Sequence, residues 1–152
     1  MKQNAMEFYS DLNNAIDRAV WLQFKYRNAK RYFVVYDGPE DNFVVSDLQT
    51  AQEMEMDNHF YPLTDSYKNL SYERLQAIAQ QTNMLEHWED LLGKFSVMEA
   101  ELLRFVLLYE IPLEKLIRHE LANRGFDHNG QWIGFEASKE FWQKDKLKDE
   151  QP

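Results

Sequence analysis

The sequence predicts an α+β fold that is mostly helical, with about five helices, a β-hairpin after helix one and a small C-terminal hairpin. Two patterns carry this prediction. Apolar residues recur at helical spacing over most of the chain, and two short runs of aromatic and β-branched residues flank a cluster of turn residues. The 152 residues, 44% of them hydrophobic, suffice for a core. We therefore expect one globular domain over residues 1–143 and a disordered charged tail over 144–152.

The first helix is predicted over about residues 5–29, opening at a capping box that begins with Asn4. Strands are predicted at 32–36 and 43–45, because a turn cluster over 37–42 separates two runs of strand-forming residues. Two strands alone are only marginally stable. This hairpin should therefore pack on helices or pair with a further strand.

The remaining helices follow from the same apolar spacing and are predicted at about 47–58, 71–94, 96–111, 112–124 and 137–143. Ser71 should cap the second of these, and Ser96 with Glu99 forms a capping box for the third. From Leu102 to Ile111 this third segment is apolar on nearly every face, so it should be either the most buried helix or a central strand, and the capping box favours the helix. Asn129 and Gly130 suit the turn of the second hairpin.

The predicted core takes residues from most of these elements. It consists of Phe8, Leu12, Ile16, Leu75, Ile78, Trp88, Leu91, Leu103, Phe105, Val106, Leu107, Leu116, Ile117, Leu121 and Trp132. Leu107 lies in the most apolar stretch of the chain and is expected to be fully buried.

The absence of cysteine removes disulfides, thiolate nucleophiles and cysteine-based metal sites, and it favours a reducing compartment. The N-terminal segment has no signal-peptide pattern, and the longest apolar run is far shorter than a membrane span. A cytoplasmic protein with no membrane partner is therefore expected. The sequence assigns no oligomeric state.

No motif for catalysis or for metal binding is complete. His119 and Glu120 begin like a zinc protease helix, but Asn123 occupies the place of the second histidine. No phosphate-binding glycine loop occurs. We therefore assign no catalytic residue, no metal ligand and no cofactor. An enzyme with an unidentified carboxylate site stays an alternative, with Glu101 and Glu110 as the best candidate acids.

Charge segregation is the most unusual feature of this chain, whose formal net charge is −9. Between residues 32 and 67 there are eight acidic residues and no Lys or Arg. Such a segment creates a local field that favours a basic partner. The sequence thus predicts a non-enzymatic protein-binding module with an acidic surface, a class that includes small inhibitors, anti-defence proteins and nucleic-acid mimics. The candidate partner-binding residues are Asp37, Glu40, Asp41, Glu53, Glu55 and Asp57.

The order helix, short turn at Pro112, helix and hairpin over residues 102–135 resembles the second half of a winged helix-turn-helix domain. The resemblance implies a DNA-binding protein as an alternative function. Its contacts would come from Lys115, Arg118 and Arg124, and an exposed face would be shared by Lys115, Arg118, His119 and Ala122. Two departures weaken it: acidic residues flank that face, and the wing over 127–130 has no Arg or Lys.

Overall fold

The computed structural model of the chain describes residues 6–54 and 59–143 and divides it into two units. The N-terminal unit ends at Val97, and the C-terminal unit begins at Met98. The single domain predicted over residues 1–143 stays a prediction. Three other predictions lie outside the described residues: the cap at Asn4, the end of the helix predicted over 47–58, and the tail over 144–152.

A three-stranded antiparallel sheet organises the N-terminal unit. Its strands are β1 (Glu7–Tyr9), β2 (Phe33–Asp37) and β3 (Phe43–Asp47), arranged in the order β1-β3-β2. Val35 of β2 lies opposite Val45 of the central strand β3. The α+β class and the first hairpin are thus confirmed, and β1 is a further strand of the kind that was expected as one of two possible supports for the hairpin.

Helix one begins later than predicted. Helix α1 (Leu12–Lys25) is capped by Asp11, whose side chain accepts a hydrogen bond from the Asn13 backbone N–H at 2.8 Å. The residues before it form β1, so the prediction of helix from residue 5 is wrong. Phe8 fits the helical spacing, but pairing with β3 satisfies the backbone of this segment instead. Phe8 itself is exposed rather than in the core.

The core lies where α1 crosses the sheet. Ala15 and Ala19 of α1 are both 0% exposed and belong to one buried cluster with Val35 and Val45. Alanine at both positions lets the helix backbone come close to the strands. The other sheet face is covered by helix α2 (Leu48–Glu53), whose Ala51 packs with Tyr36 and Val44.

The opposite face of α1 is held by polar contacts. Asp17, only 4% exposed, accepts hydrogen bonds from the Tyr67 hydroxyl at 2.7 Å and from the Arg74 guanidinium at 3.0 Å. Trp21 stacks on His87 with ring centroids 5.0 Å apart. Helix α1 is therefore enclosed between the sheet and the segment that runs from Tyr67 to His87.

The helix predicted over 71–94 is two helices, α3 (Tyr72–Ala79) and α4 (Glu86–Ser96). Ser71 caps α3 as predicted, since its hydroxyl accepts the Arg74 backbone N–H at 3.0 Å. The prediction of one continuous helix is wrong because α3 ends at Gln80 and the chain turns before α4. The apolar spacing continues across the break and therefore conceals it.

The capping box at Ser96 is also wrong. Ser96 is the last residue of α4, and its hydroxyl donates to the Gly93 carbonyl at 2.9 Å. Such a bond to the preceding turn competes with N-capping for the same hydroxyl. The next helix, α5 (Ala100–Leu108), begins after Glu99 instead.

The C-terminal unit consists of α5, α6 (Leu113–Asn123) and α7 (Phe135–Gln143). Between α6 and α7, one bridge pairs Phe126 with Trp132, so the second hairpin is shorter than predicted. Ser138 of α7 is buried and donates to the Phe126 carbonyl at 3.0 Å, which ties α7 to the end of α6. The described residues thus contain seven α-helices rather than about five.

The predicted core is partly right in the N-terminal unit and largely wrong in the C-terminal unit. Ile78 and Trp88 are buried as expected, whereas no residue of α5 is buried and Leu107 is 77% exposed. An apolar helix gains burial only if another element covers it, and periodicity does not say whether one does. The predicted core residues that are exposed are Phe8, Leu91, Leu103, Phe105, Leu107, Leu116, Ile117 and Trp132.

The end of α6 yields a stability prediction. Gly125 has a φ of +79°, and a Cβ built on it would overlap the Trp132 ring, whereas Gly130, with a φ of +76°, has open space around it. Gly130→Ala should cost roughly 1–2 kcal/mol for its left-handed backbone alone. Gly125→Ala should cost about 1–3 kcal/mol more because of the overlap. Urea unfolding followed by circular dichroism measures both, and equal losses would contradict the packing described for Trp132.

Candidate functional site

Three of the predicted partner-binding acids lie on one short turn. Asp37 ends β2, and Glu40 and Asp41 follow before β3 begins. The Gly38 backbone N–H donates to the Asn42 carbonyl at 2.8 Å and closes the turn. Asp41 has a φ of +57°, a conformation that aspartate adopts more readily than most residues. The turn therefore holds all three carboxylates at one end of the hairpin.

Asp37 is further fixed by the segment that follows α2. The Tyr61 hydroxyl donates to the Asp37 carboxylate at 2.5 Å, and the Tyr61 backbone N–H donates to the Val35 carbonyl at 2.8 Å. The hydrogen bond to Asp37 raises the pKa of the Tyr61 hydroxyl, which therefore stays protonated as a donor. The Tyr61 ring also packs edge-on against Phe43.

Glu53, the last residue of α2, is the fourth predicted partner-binding acid within the described residues. Its side chain is exposed and accepts a hydrogen bond from Gln49 at 3.2 Å. Helix α2 packs on the sheet face that includes Tyr36 and Val44. These two residues lie close to the two ends of the turn between β2 and β3. Glu55 and Asp57 lie outside the described residues. We call Asp37, Glu40, Asp41 and Glu53 the acidic hairpin end.

The acidic hairpin end has no basic counter-charge among the described residues. The arginines of the N-terminal unit that form ion pairs use other acids; these pairs are Arg18–Glu7 at 2.8 Å, Arg31–Asp47 at 3.2 Å and Arg74–Asp17 at 3.0 Å. Glu40 and Asp41 are exposed at the turn. The field of these carboxylates is thus directed at solvent.

Asp47 belongs to the same acidic segment but has a structural role. Its carboxylate caps α2 by accepting the Thr50 backbone N–H at 2.8 Å, and it pairs with Arg31. Burial alone would raise the pKa of this carboxyl, but the hydrogen bonds from Thr50 and Arg31 outweigh that effect and lower it. The acidic run therefore contains both a helix cap and solvent-directed acids.

The predicted DNA-binding residues lie on α6, where acids of the same helix engage two of them. Arg118 pairs with Glu114 at 3.0 Å and donates to the Trp142 carbonyl of α7 at 3.3 Å. Arg124 pairs with Glu120 at 2.8 Å. These contacts reduce the positive charge that α6 could offer to phosphates.

The face of α6 that was expected to be exposed is partly covered. Lys115 and His119 are exposed as expected, but Ala122 is buried and Arg118 reaches α7, so the expectation that all four residues share an exposed face is wrong. At the tip of the second hairpin, Asp127 accepts the backbone N–H groups of Asn129 and Gln131, both at 2.9 Å. These hydrogen bonds lower the pKa of the Asp127 carboxyl and keep a negative charge where a wing would approach DNA.

The acids proposed for catalysis are both exposed. Glu101 pairs with Arg104 on the surface of α5, and Glu110 lies in the turn after α5. The buried acid that sequence reasoning missed is Asp17, whose carboxylate anchors Tyr67 and Arg74. Its one sequence signal is the presence of Trp21 on the same side of α1, which indicates that this side also packs.

In residues 6–54 and 59–143, no group of three or more His, Asp or Glu side chains could hold a metal ion. No helix in the same residues has the length and apolar character to cross a membrane. No protein-family model, curated protein or solved structure matches the chain.

Asp47 gives a pH-dependent prediction. Its folded-state pKa lies below the ordinary value of 3.8, so its charge stabilises the fold above that pH, and the contribution is lost as the pH falls through the folded-state pKa. Asp47→Asn keeps a good helix cap but removes the charge, whereas Asp47→Ala also removes the cap, at a cost of about 1 kcal/mol.

Urea unfolding of both variants near pH 7 and near pH 3 checks this prediction. The stability difference between the native chain and Asp47→Asn should shrink at the lower pH, while the extra loss in Asp47→Ala should persist. If the stability difference between the native chain and Asp47→Asn does not change with pH, the stabilising role of the charge is contradicted.

Proposed function

We propose that this chain is a non-enzymatic protein-binding module that engages a basic partner through the acidic hairpin end. One observation carries the proposal: four carboxylates lie on one turn and on the adjoining helix without a basic counter-charge among the described residues. A surface of uncompensated charge attracts a partner of opposite charge and selects against partners of like charge.

The local structure favours binding with little ordering cost. Pairing of β2 with β3, the Tyr61–Asp37 hydrogen bond and the packing of α2 hold the backbone that carries these acids. A surface that is ordered before binding loses less entropy when the complex forms. Carboxylates held in this way suit a partner site rich in Lys and Arg, including a site that otherwise binds phosphates. The proposal therefore includes small inhibitors, anti-defence proteins and nucleic-acid mimics.

The decisive experiment compares two variants with the same change in net charge. Glu40→Gln/Asp41→Asn/Glu53→Gln neutralises three exposed acids of the hairpin end. Its control, Glu89→Gln/Asp90→Asn/Glu140→Gln, neutralises the same residue types at exposed positions elsewhere. Asn at position 41 also tolerates the left-handed backbone. Both variants should fold, since exposed charges contribute little to stability.

The chain and both variants are used to capture partners from an extract of the source cells, and the captured protein is then purified for binding kinetics. The hairpin-end variant should associate roughly tenfold more slowly at low salt and lose most of the salt dependence. The control variant should bind like the native chain. Equal binding by both variants, or loss in both, would contradict the proposal.

The DNA-binding alternative is tested in the same series. A variant with Lys115→Gln, Arg118→Gln and Arg124→Gln is compared with the native chain on random-sequence duplex DNA. A DNA-binding function predicts duplex binding by the native chain, with a salt slope that falls by about one for each phosphate-binding side chain that is neutralised. Our proposal predicts no such binding, and duplex affinity that depends on these three residues would replace it with the winged-helix interpretation.

A further inference from the structure

Helices α5 and α6 expose far more apolar surface than a helix pair with no partner is expected to show. Nine large apolar side chains on or beside them are between 37% and 77% exposed. We call this set the apolar helix pair; it comprises Leu102, Leu103, Phe105, Leu107, Leu108, Tyr109, Leu113, Leu116 and Ile117. Contiguous exposed patches of such side chains mark protein interaction sites.

The joint between the two helices is structurally defined. After α5, the Glu110 backbone N–H donates to the Leu107 carbonyl at 3.3 Å, and the Ile111 backbone N–H donates to the Val106 carbonyl at 3.0 Å. Glu110 takes a φ of +52°, which completes the hydrogen-bonding pattern of a Schellman cap. This cap ends α5 and directs the chain into α6, so the apolar side chains of both helices are presented on an ordered backbone.

The amount of apolar surface is sufficient for a stable interface. If a large side chain offers roughly 200 Å², nine side chains at these exposures present on the order of 1,000 Å². A standard-size interface buries about 800 Å² per partner, and homodimer interfaces are more apolar than others. The total exposed apolar area of the two helices is therefore of the order that each partner of a standard-size interface buries.

The charge of this region permits a second copy as the occupant. Residues 100–124 carry four acidic and four basic residues, so their formal charge is zero in a chain whose net charge is −9. The arginines of this segment are paired with acids of their own helix; the pairs are Glu101–Arg104, Glu114–Arg118 and Glu120–Arg124. Two strongly acidic chains repel each other over most of their surface, but they can meet at a neutral apolar region.

We infer that the apolar helix pair is a self-association surface, at which a second copy of this chain docks through the same helices in a two-fold interface. The occupant is thus distinct from the basic partner proposed for the acidic hairpin end. Neither proposal depends on the other.

The test is sedimentation equilibrium of the full chain over about 1–100 µM, where an interface with a micromolar or lower Kd is populated. The native chain should sediment at twice the mass of one chain. Leu107→Glu/Leu108→Glu, at two exposed positions of α5, should weaken the dimer by at least about 100-fold. The control Tyr72→Glu/Val97→Glu makes the same charge change at two exposed apolar positions outside the helix pair and should stay dimeric.

A native chain that is monomeric throughout this range overturns the inference, whatever other protein it binds. A dimer that survives Leu107→Glu/Leu108→Glu also overturns it. Circular dichroism shows whether that variant keeps its helices. If it does not, Leu107→Cys, which introduces the only thiol of the chain, is labelled with a nitroxide. Dipolar coupling between labels on two copies then supports the inference, and its absence at the same concentrations overturns it.

Discussion

Helix α1 is the element on which the N-terminal unit depends, because it packs in two different ways on its two sides. Ala15 and Ala19 allow it to lie close to Val35 and Val45 of the sheet. On the other side the buried carboxylate of Asp17 binds Tyr67 and Arg74. An acid buried in this way remains favourable only while its partners are present. Loss of the alanine packing would therefore separate α1 from the sheet, and loss of the carboxylate would separate α1 from the segment that carries Tyr67 and Arg74.

The parts of the fold that the sequence predicts correctly are those set by local chemistry. The turn between β2 and β3 and the cap at Ser71 each follow from residues that favour one backbone conformation. The errors occur where a tertiary contact decides. Strand β1 exists because β3 offers a free edge, and the burial expected for α5 requires a covering element that its sequence does not encode.

The candidate site was predictable to a similar extent. The lack of Lys and Arg between residues 32 and 67 identifies the acidic segment, but it does not distinguish Asp47, which caps a helix, from the solvent-directed acids Glu40 and Asp41. Asp17 was missed because it lies on the side of α1 away from the sheet. Its burial depends on residues fifty or more positions later in the chain. Only the three-dimensional contacts assign these roles.

The two proposed surfaces act through different physical effects. Charge at the hairpin end would govern the rate and selectivity of an encounter, whereas the apolar helix pair would supply buried area. A dimer would carry two acidic hairpin ends and could bind a partner with two basic sites more tightly than one copy would.

A second copy that covers the apolar helix pair would explain why the C-terminal unit of a single chain has so much apolar surface. Amide hydrogen exchange of the native chain at low and high concentration tests this most directly. If a second copy covers the apolar helix pair, protection of the α5 amides should rise with concentration while that of the β3 amides stays constant, because only α5 gains a covering surface. Protection of α5 that does not depend on concentration would contradict it.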